Sequence, residues 1–303
     1  MTDRLVPNKL GVHAFVWAAD WTRDDATRAI ALTRETGYDL LEVSALDLGI
    51  IDVAHTRREL EQHGLSATIS FGLDASCDIS STDPERIRAG ERFLMDAVSV
   101  GRDMGATHLC GILYSAFQKY AVPPTADGVK NSVEVMRRVG EKAAESNIIL
   151  GMEVVNRYET NMLNTAAQGV EYCRRVGLPN VRVHLDVYHM NIEESDPARA
   201  IRETGEYLGY FHTGENHRGY MGSGQLDYQR IFRALIENGY AGPITFESFS
   251  SRVVGQPLEG ILGIWRNLWE DSRDLASHAY AFTTAQLASA AQSVRNAERS
   301  VLV

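Results

Sequence analysis

No two cysteines in this sequence are spaced as CxxC, and the three present, Cys77, Cys110 and Cys173, lie far apart. Neither a disulfide framework nor a cysteine-built zinc site is indicated, and reduced, mostly buried thiols are expected. Clustered positive charge is missing too. Thirty Lys and Arg stand against 40 Asp and Glu, a formal net charge of −10 without any block of like charge. Phosphate backbones are gripped by clustered Lys and Arg, so a nucleic-acid partner is not expected and a neutral small molecule is. No apolar run approaches the roughly 20 residues that cross a bilayer, and the opening MTDRLVPNKL is charged where a signal peptide is apolar. The expectation is a cytoplasmic protein with no membrane partner. Two glycine signatures are also absent. No GxGxxG follows the first strand-like run, and no phosphate-cradling glycine loop ends in lysine, which weighs against dinucleotides and against phosphorylated ligands.

What the 303 residues do contain is an alternation of short apolar runs with longer helical patterns. LGVHAFV from Leu10, DLLEV from Asp39, SATISFG, THLCGIL from Thr107, IILGMEVV, VRVHLDV from Val181, YLGYFHT and PITFES from Pro243 read as strands. Between them stand helical stretches with their own punctuation. One opens at Thr22 with early acids and stops at Gly37, one closes on Gly64, and one opens at Asp83 with Pro84 just inside. Others are expected near Asp127 to Ser146, Thr165 to Val176 and Pro197 to Gly205, over YQRIFRALIENG, and from Leu258 onward through WRNLW. Eight strand-then-helix units without a Pro-, Gly- or Ser-rich linker predict a single (β/α)8 TIM barrel over 1–303, with 283–303 as a C-terminal helical extension.

Chemistry in such a barrel gathers where strands run into the following loops. Glu153, Asp186, His212 and Glu247 stand at the ends of the fifth to eighth strands, neighbours around one mouth. A lone Glu or His at a strand end is usually a solvated cap, but three carboxylates buried together repel unless a cation or shared protons compensate. A divalent ion resolves this most simply, and three oxygen donors with one imidazole suit Mn2+ first, with Mg2+ or Co2+ as alternatives. A second polar ring follows a few positions later: Glu159 six after Glu153, His189 three after Asp186, and Arg218 six after His212. Those offsets place them in loops over the metal, where an Arg fork and an imidazole suit a small polyoxygenated substrate. His108 and His184 fall inside strands and read as structural.

The strings MEVVNRYE, VHLDVYHMNIEES, YFHTGENHRGYMGSG and ITFESF resemble those of the ketose 3-epimerases, the D-tagatose, D-allulose (D-psicose) and L-ribulose 3-epimerase family. The likeness runs from GVHAFVW through SFGLD to GIWRNLW. It implies that Glu153, Asp186, His212 and Glu247 are the metal ligands, that Glu153 and Glu247 also move the proton, and that Glu159, His189 and Arg218 hold a ketose near its carbonyl end. It further implies a homodimer or homotetramer, to which the tail after Thr283 would contribute. His13 stands where members often carry a bulky aromatic, and Tyr114 and Phe117 where some have tryptophan. His13 and Tyr114 are therefore expected to shape the sugar pocket, together with Trp17 and Phe249. His217, where members often have asparagine, is expected to tune sugar preference.

The implied reaction follows from charge. Removing the C3 hydrogen of a ketose leaves an enediolate, which a metal chelated by the C2 and C3 oxygens would stabilise. Glutamates from different sides of the mouth can flank C3, one removing the proton and the other returning it from the far side, which inverts the centre. D-fructose/D-allulose, D-tagatose/D-sorbose and L-ribulose/L-xylulose are the candidate pairs. A hydroxypyruvate-type isomerase or inosose-type dehydratase is the nearest alternative. A DNA-repair endonuclease barrel conflicts with the net charge of −10, and a non-catalytic sugar-binding protein would share the socket.

Overall fold

In the computed structural model, which describes residues 6–301, strands and helices alternate along the chain. The first half comprises β1 (Leu10–His13), α1 (Arg23–Glu35), β2 (Leu40–Val43), α2 (Val53–His63), β3 (Ser66–Ser70), α3 (Pro84–Met104), β4 (Ala106–Gly111) and α4 (Ala126–Ala144). Next come β5 (Ile149–Val154), α5 (Ala166–Val176), β6 (Val181–Asp186), α6 (Val187–Glu193), α7 (Pro197–Thr204), β7 (Leu208–Thr213), α8 (Tyr228–Glu237) and β8 (Ile244–Phe246). Two short helices, α9 (Ser251–Val254) and α10 (Leu258–Leu262), precede the long α11 (Ser272–Val301). All eight strands are parallel, each pairs with the next, and β8 pairs back onto β1, closing a (β/α)8 barrel. Among the described residues no helix is long and apolar enough to cross a membrane.

Local chemistry sets the helix limits. Thr22, Asp52, Asp83, Thr125, Thr165 and Asp227 each accept a hydrogen bond from a backbone N–H of the first turn they precede, and Thr165 forms a reciprocal capping box with Gln168. Strands are buried on both faces, as expected where a sheet is wrapped in helices. Gly111 ends β4 at φ +116°, and a Cβ there would stand 2.1 Å from the Phe71 carbonyl oxygen. Gly111→Ala is therefore expected to cost at least about 2 kcal/mol, read as a lowered urea midpoint; an unchanged midpoint would contradict this packing.

Side chains alternate along each strand, so registered pairs share a layer of the barrel interior. His13 pairs with Glu42 and Glu42 with Thr68; Glu153 pairs with His184; His212 pairs with Asp186 on one side and Thr245 on the other. Barrel interiors are ordinarily filled by branched apolar residues. Here a polar belt crosses the barrel. The Tyr210 hydroxyl donates to Glu42 Oε2 at 2.7 Å, and having one proton it must accept from Thr68 and Thr245, at 2.8 and 2.7 Å.

Three local expectations are corrected. The first strand stops at His13, and Ala14–Val16 form a 3-10 turn capped by the His13 side chain. α6 starts directly at the end of β6, so His189 lies on a helix and not in a loop: Asp186 is both the last strand residue and the helix cap, its Oδ1 accepting from the Tyr188 N–H at 2.6 Å. WRNLW is not helical. Gly263, at φ +67°, closes α10, and Trp269 turns inward to donate from Nε1 to Ser248 Oγ at 2.8 Å. The tail beyond Thr283 continues α11, which packs against α8; residues 302 and 303 lie outside the described residues. All three thiols are free, Cys110 and Cys173 buried and Cys77 half-buried.

Candidate active site

The last four strands bring Glu153, Asp186, His212 and Glu247 together, each with one ligand atom within 4.8 Å of all the others. His212 Nδ1 has no hydrogen-bond partner and faces carboxylate oxygens of Glu153 at 3.8 Å, Asp186 at 3.7 Å and Glu247 at 3.6 Å. A buried lone pair aimed at three carboxylates fits a cation, and the donor set of three oxygens and one imidazole suits a divalent metal.

Glu42, which the sequence reading passed over, fixes the orientation of His212. Fully buried on β2, it accepts from His212 Nε2 at 2.8 Å. A carboxylate can only accept, so the proton lies on Nε2, and the neutral imidazole presents Nδ1 to the cluster. The Tyr210 hydroxyl holds the same Glu42 oxygen. The available signal was a lone acid inside the apolar run LLEV, a position where an unpaired carboxylate is costly.

The second ring closes over this cluster. Arg218 ion-pairs with Glu247 and, at 3.3 Å, with Asp186 Oδ2, its guanidinium stacked 4.2 Å from the Tyr188 ring centre and 4.9 Å from that of Phe249. Its backbone sits at φ +62°, held by its own N–H to the Glu215 carbonyl and by Ser248 Oγ donating to its carbonyl. Trp269 supports that serine, so the WRNLW segment braces Arg218 from behind. His189 Nδ1 accepts from the Asn156 backbone N–H and side-chain amide, at 3.2 and 2.9 Å, which leaves its Nε2–H pointing at the site. That Nε2 lies 3.8 Å from both Glu153 and Glu159 and 4.0 Å from Asp186. Glu159 is itself oriented by the Asn156 amide at 2.9 Å.

Burial and charge pull the two glutamates apart. Burial pushes the Glu153 carboxyl well above its ordinary range; His212 opposes the shift, and Glu247 and Asp186 reinforce it. Burial acts the same way on Glu247, but the charges of Arg218 and His212 outweigh it and hold that carboxyl well below the usual range. Burial disfavours charge on His212, yet Glu42 and Glu247 raise its proton affinity far above that of free imidazole. A proton on Nδ1 and a cation bound there are therefore alternatives, and either one, with Arg218, supplies the positive charge the carboxylates need.

A family model described as a xylose isomerase-like TIM barrel matches residues 30–276. A ketose 3-epimerase of Arthrobacter globiformis is 47% identical over 274 residues, 90% of this chain and 95% of that protein. This chain belongs to the ketose 3-epimerase family. Within that family, an L-ribulose 3-epimerase of Methylomonas sp. (strain DH-1) is 46% identical over 90% of this chain and 95% of its own length. A crystal structure of D-allulose 3-epimerase from Methylomonas sp. in complex with D-allulose superimposes with a TM-score of 0.90 at 44% identity, covering 92% of this chain and 97% of that one. The chain is accordingly an isomerase of the carbohydrate epimerase class.

The mouth of this ketose 3-epimerase opens into a cavity of about 850 Å³. Glu153, Glu159, His189, His212, Arg218 and Glu247 all line it, as do His13, Phe117, His217 and Phe249. His13 accepts the Phe15 N–H on Nδ1 and directs Nε2 to Ser70 Oγ at 3.2 Å, with Glu247 3.7 Å away. Tyr114, expected against the sugar, is instead fully buried behind β5; its hydroxyl donates to the Glu153 carbonyl at 2.6 Å and its ring packs on Tyr172. Trp17 is likewise buried and absent from the wall. The glycines after His212 are needed for close packing. A Cβ at Gly214 would meet the Glu247 carbonyl at 2.6 Å and one at Gly224 the Asn216 side chain at 2.1 Å, so they permit close approach. Buried Glu215 pins that loop by accepting from the Asn216 and Gly222 N–H groups at 3.0 and 2.9 Å.

Proposed function

We propose that this protein is a divalent-metal-dependent epimerase that inverts C3 of free ketoses, with D-fructose/D-allulose, D-tagatose/D-sorbose and L-ribulose/L-xylulose as its candidate pairs. Glu153, Asp186, His212 and Glu247 would hold the ion, with Mn2+ the first choice and Co2+ or Mg2+ alternatives. Once bound, such an ion supplies Lewis-acid polarisation of a carbonyl oxygen. The observation that carries the reading is the convergence of two glutamates, Glu153 on β5 and Glu247 directly after the non-adjacent β8, at one ligand cluster in the wall of the cavity.

The chain's own groups then divide the work. One of the two glutamates, Glu153 or Glu247, takes the C3 proton from one face, the other delivers one from the opposite face, and the roles exchange in the reverse direction. His189 offers Nε2–H, and Arg218 its planar fork, to the negative charge developing on the C2 oxygen. Glu159, fixed by Asn156, accepts from a sugar hydroxyl. Phe249 and Phe117 close the wall against water. The family resemblance supports a homodimer or homotetramer, and the composition a cytoplasmic setting. The test is D-fructose incubated with the Mn2+-loaded protein in heavy water. Deuterium at C3 together with D-allulose is expected; label at C1 would replace this reading with an aldose–ketose isomerase.

A further inference from the structure

His184 stands on β6 two positions before Asp186, so its side chain enters the same barrel interior one layer deeper. It is fully buried, and neither ring nitrogen has a hydrogen-bond partner. Buried imidazoles are ordinarily satisfied, because an unmade hydrogen bond there is costly. Its ring meets His212 edge to face with centres 4.1 Å apart and Tyr210 with centres 5.0 Å apart. Glu153, His184 and His212 each place one ligand atom within 4.8 Å of the other two. Two imidazoles and one carboxylate form a donor set distinct in kind from the three carboxylates and one imidazole of the outer cluster. Nitrogen-rich sets favour Zn2+ and Ni2+, whereas oxygen-rich ones favour Mn2+ and Mg2+.

We propose that His184 gives the centre a second, inner coordination set, Glu153–His184–His212, which draws a nitrogen-preferring divalent ion such as Zn2+ or Ni2+ below the outer position. The inference rests on the outer cluster holding a metal, as proposed above. Glu153 and His212 are common to both sets, so only one can be filled at a time. Zinc in the inner set would exclude manganese from the outer one and hold Glu153 beside its registered neighbour His184. The position of the ion, and not its affinity alone, then separates a productive metal from an inhibitory one.

Two measurements on the whole protein test this. X-ray absorption of the zinc-loaded protein should show two imidazoles on the ion and that of the manganese-loaded protein one. Zinc should displace Mn2+, followed by the Mn2+ paramagnetic resonance signal, and His184→Leu should raise the zinc concentration needed by on the order of 100-fold while leaving Mn2+ affinity within about threefold. Zinc on a single imidazole in the wild-type protein, or equal displacement in both proteins, overturns the inner set. The absorption measurement needs no variant and stands if His184→Leu does not fold. A wild-type protein that holds zinc with two imidazoles but binds no Mn2+ would remove the outer-cluster reading and leave the inner set in place.

Discussion

Glu153→Gln and Glu247→Gln are each expected to lower kcat by roughly 10²–10⁴-fold while moving the stability of the metal-free protein differently. On the proposed reading each variant removes both a proton carrier and a ligand oxygen, which places the loss at the upper end of that range. Stability separates them because their surroundings differ. Glu247 is an ion-pair partner of the Arg218 guanidinium and faces His212, so its loss leaves the buried guanidinium with Asp186 alone, a change of on the order of 3 kcal/mol. Glu153 makes no ion pair with Arg218, and burial with the nearby Glu247 and Asp186 already disfavours its charge. An uncharged amide of the same shape should leave the apoprotein as stable or make it more so. Urea unfolding in chelator beside steady-state kinetics reads both effects. Near-normal turnover in either variant would remove the two-glutamate assignment, and equal destabilisation would contradict the asymmetry between the two sites.

Glu42→Gln is expected to weaken Mn2+ binding by about 10–100-fold although its side chain does not face the cluster directly. The loss comes through His212. With the carboxylate gone, an amide that presents its NH2 no longer requires the proton on Nε2, and the Nδ1 lone pair is no longer reserved for the ion. Glu42→Ala should lose more, because both the Nε2–H and the Tyr210 hydroxyl are then left without their acceptor in a dry layer, at about 1–3 kcal/mol for each group. Tyr210→Phe is the control, since it removes one bond to Glu42 and keeps the histidine contact. Calorimetric titration with Mn2+ measures all three. Affinity in Glu42→Gln within twofold of the wild type would show that His212 is oriented by packing alone.

Much of this arrangement was legible from residue types and spacing, because each strand end is fixed by its own apolar run and the acids and histidine follow those runs directly. Glu153, Asp186, His212 and Glu247 needed only strand register to be brought together. The places where sequence fell short each depend on a contact between distant elements. Glu42 is a single acid in LLEV, and its purpose exists only because β7 lies across the barrel from β2. Tyr114 follows its strand as a pocket residue would, yet its hydroxyl meets the β5 backbone and is turned away from the cavity. α6 was hidden because Asp186 ends a strand and begins a helix at once, two roles that periodicity assigns to different positions. WRNLW has helical spacing, and the demand of Trp269 for the Ser248 hydroxyl overrides it.

The bond between Glu42 and His212 joins residues 170 positions apart, and the cluster is completed only by Glu247. No nascent chain that stops before Glu247 can own the outer cluster, so during synthesis the metal proposed to fill it would find its set complete only once the eighth strand has emerged and the barrel has shut. In a refolding experiment the arrival of the metal would therefore time the joining of the last strand to the first, an event that a helix-content signal would pass over.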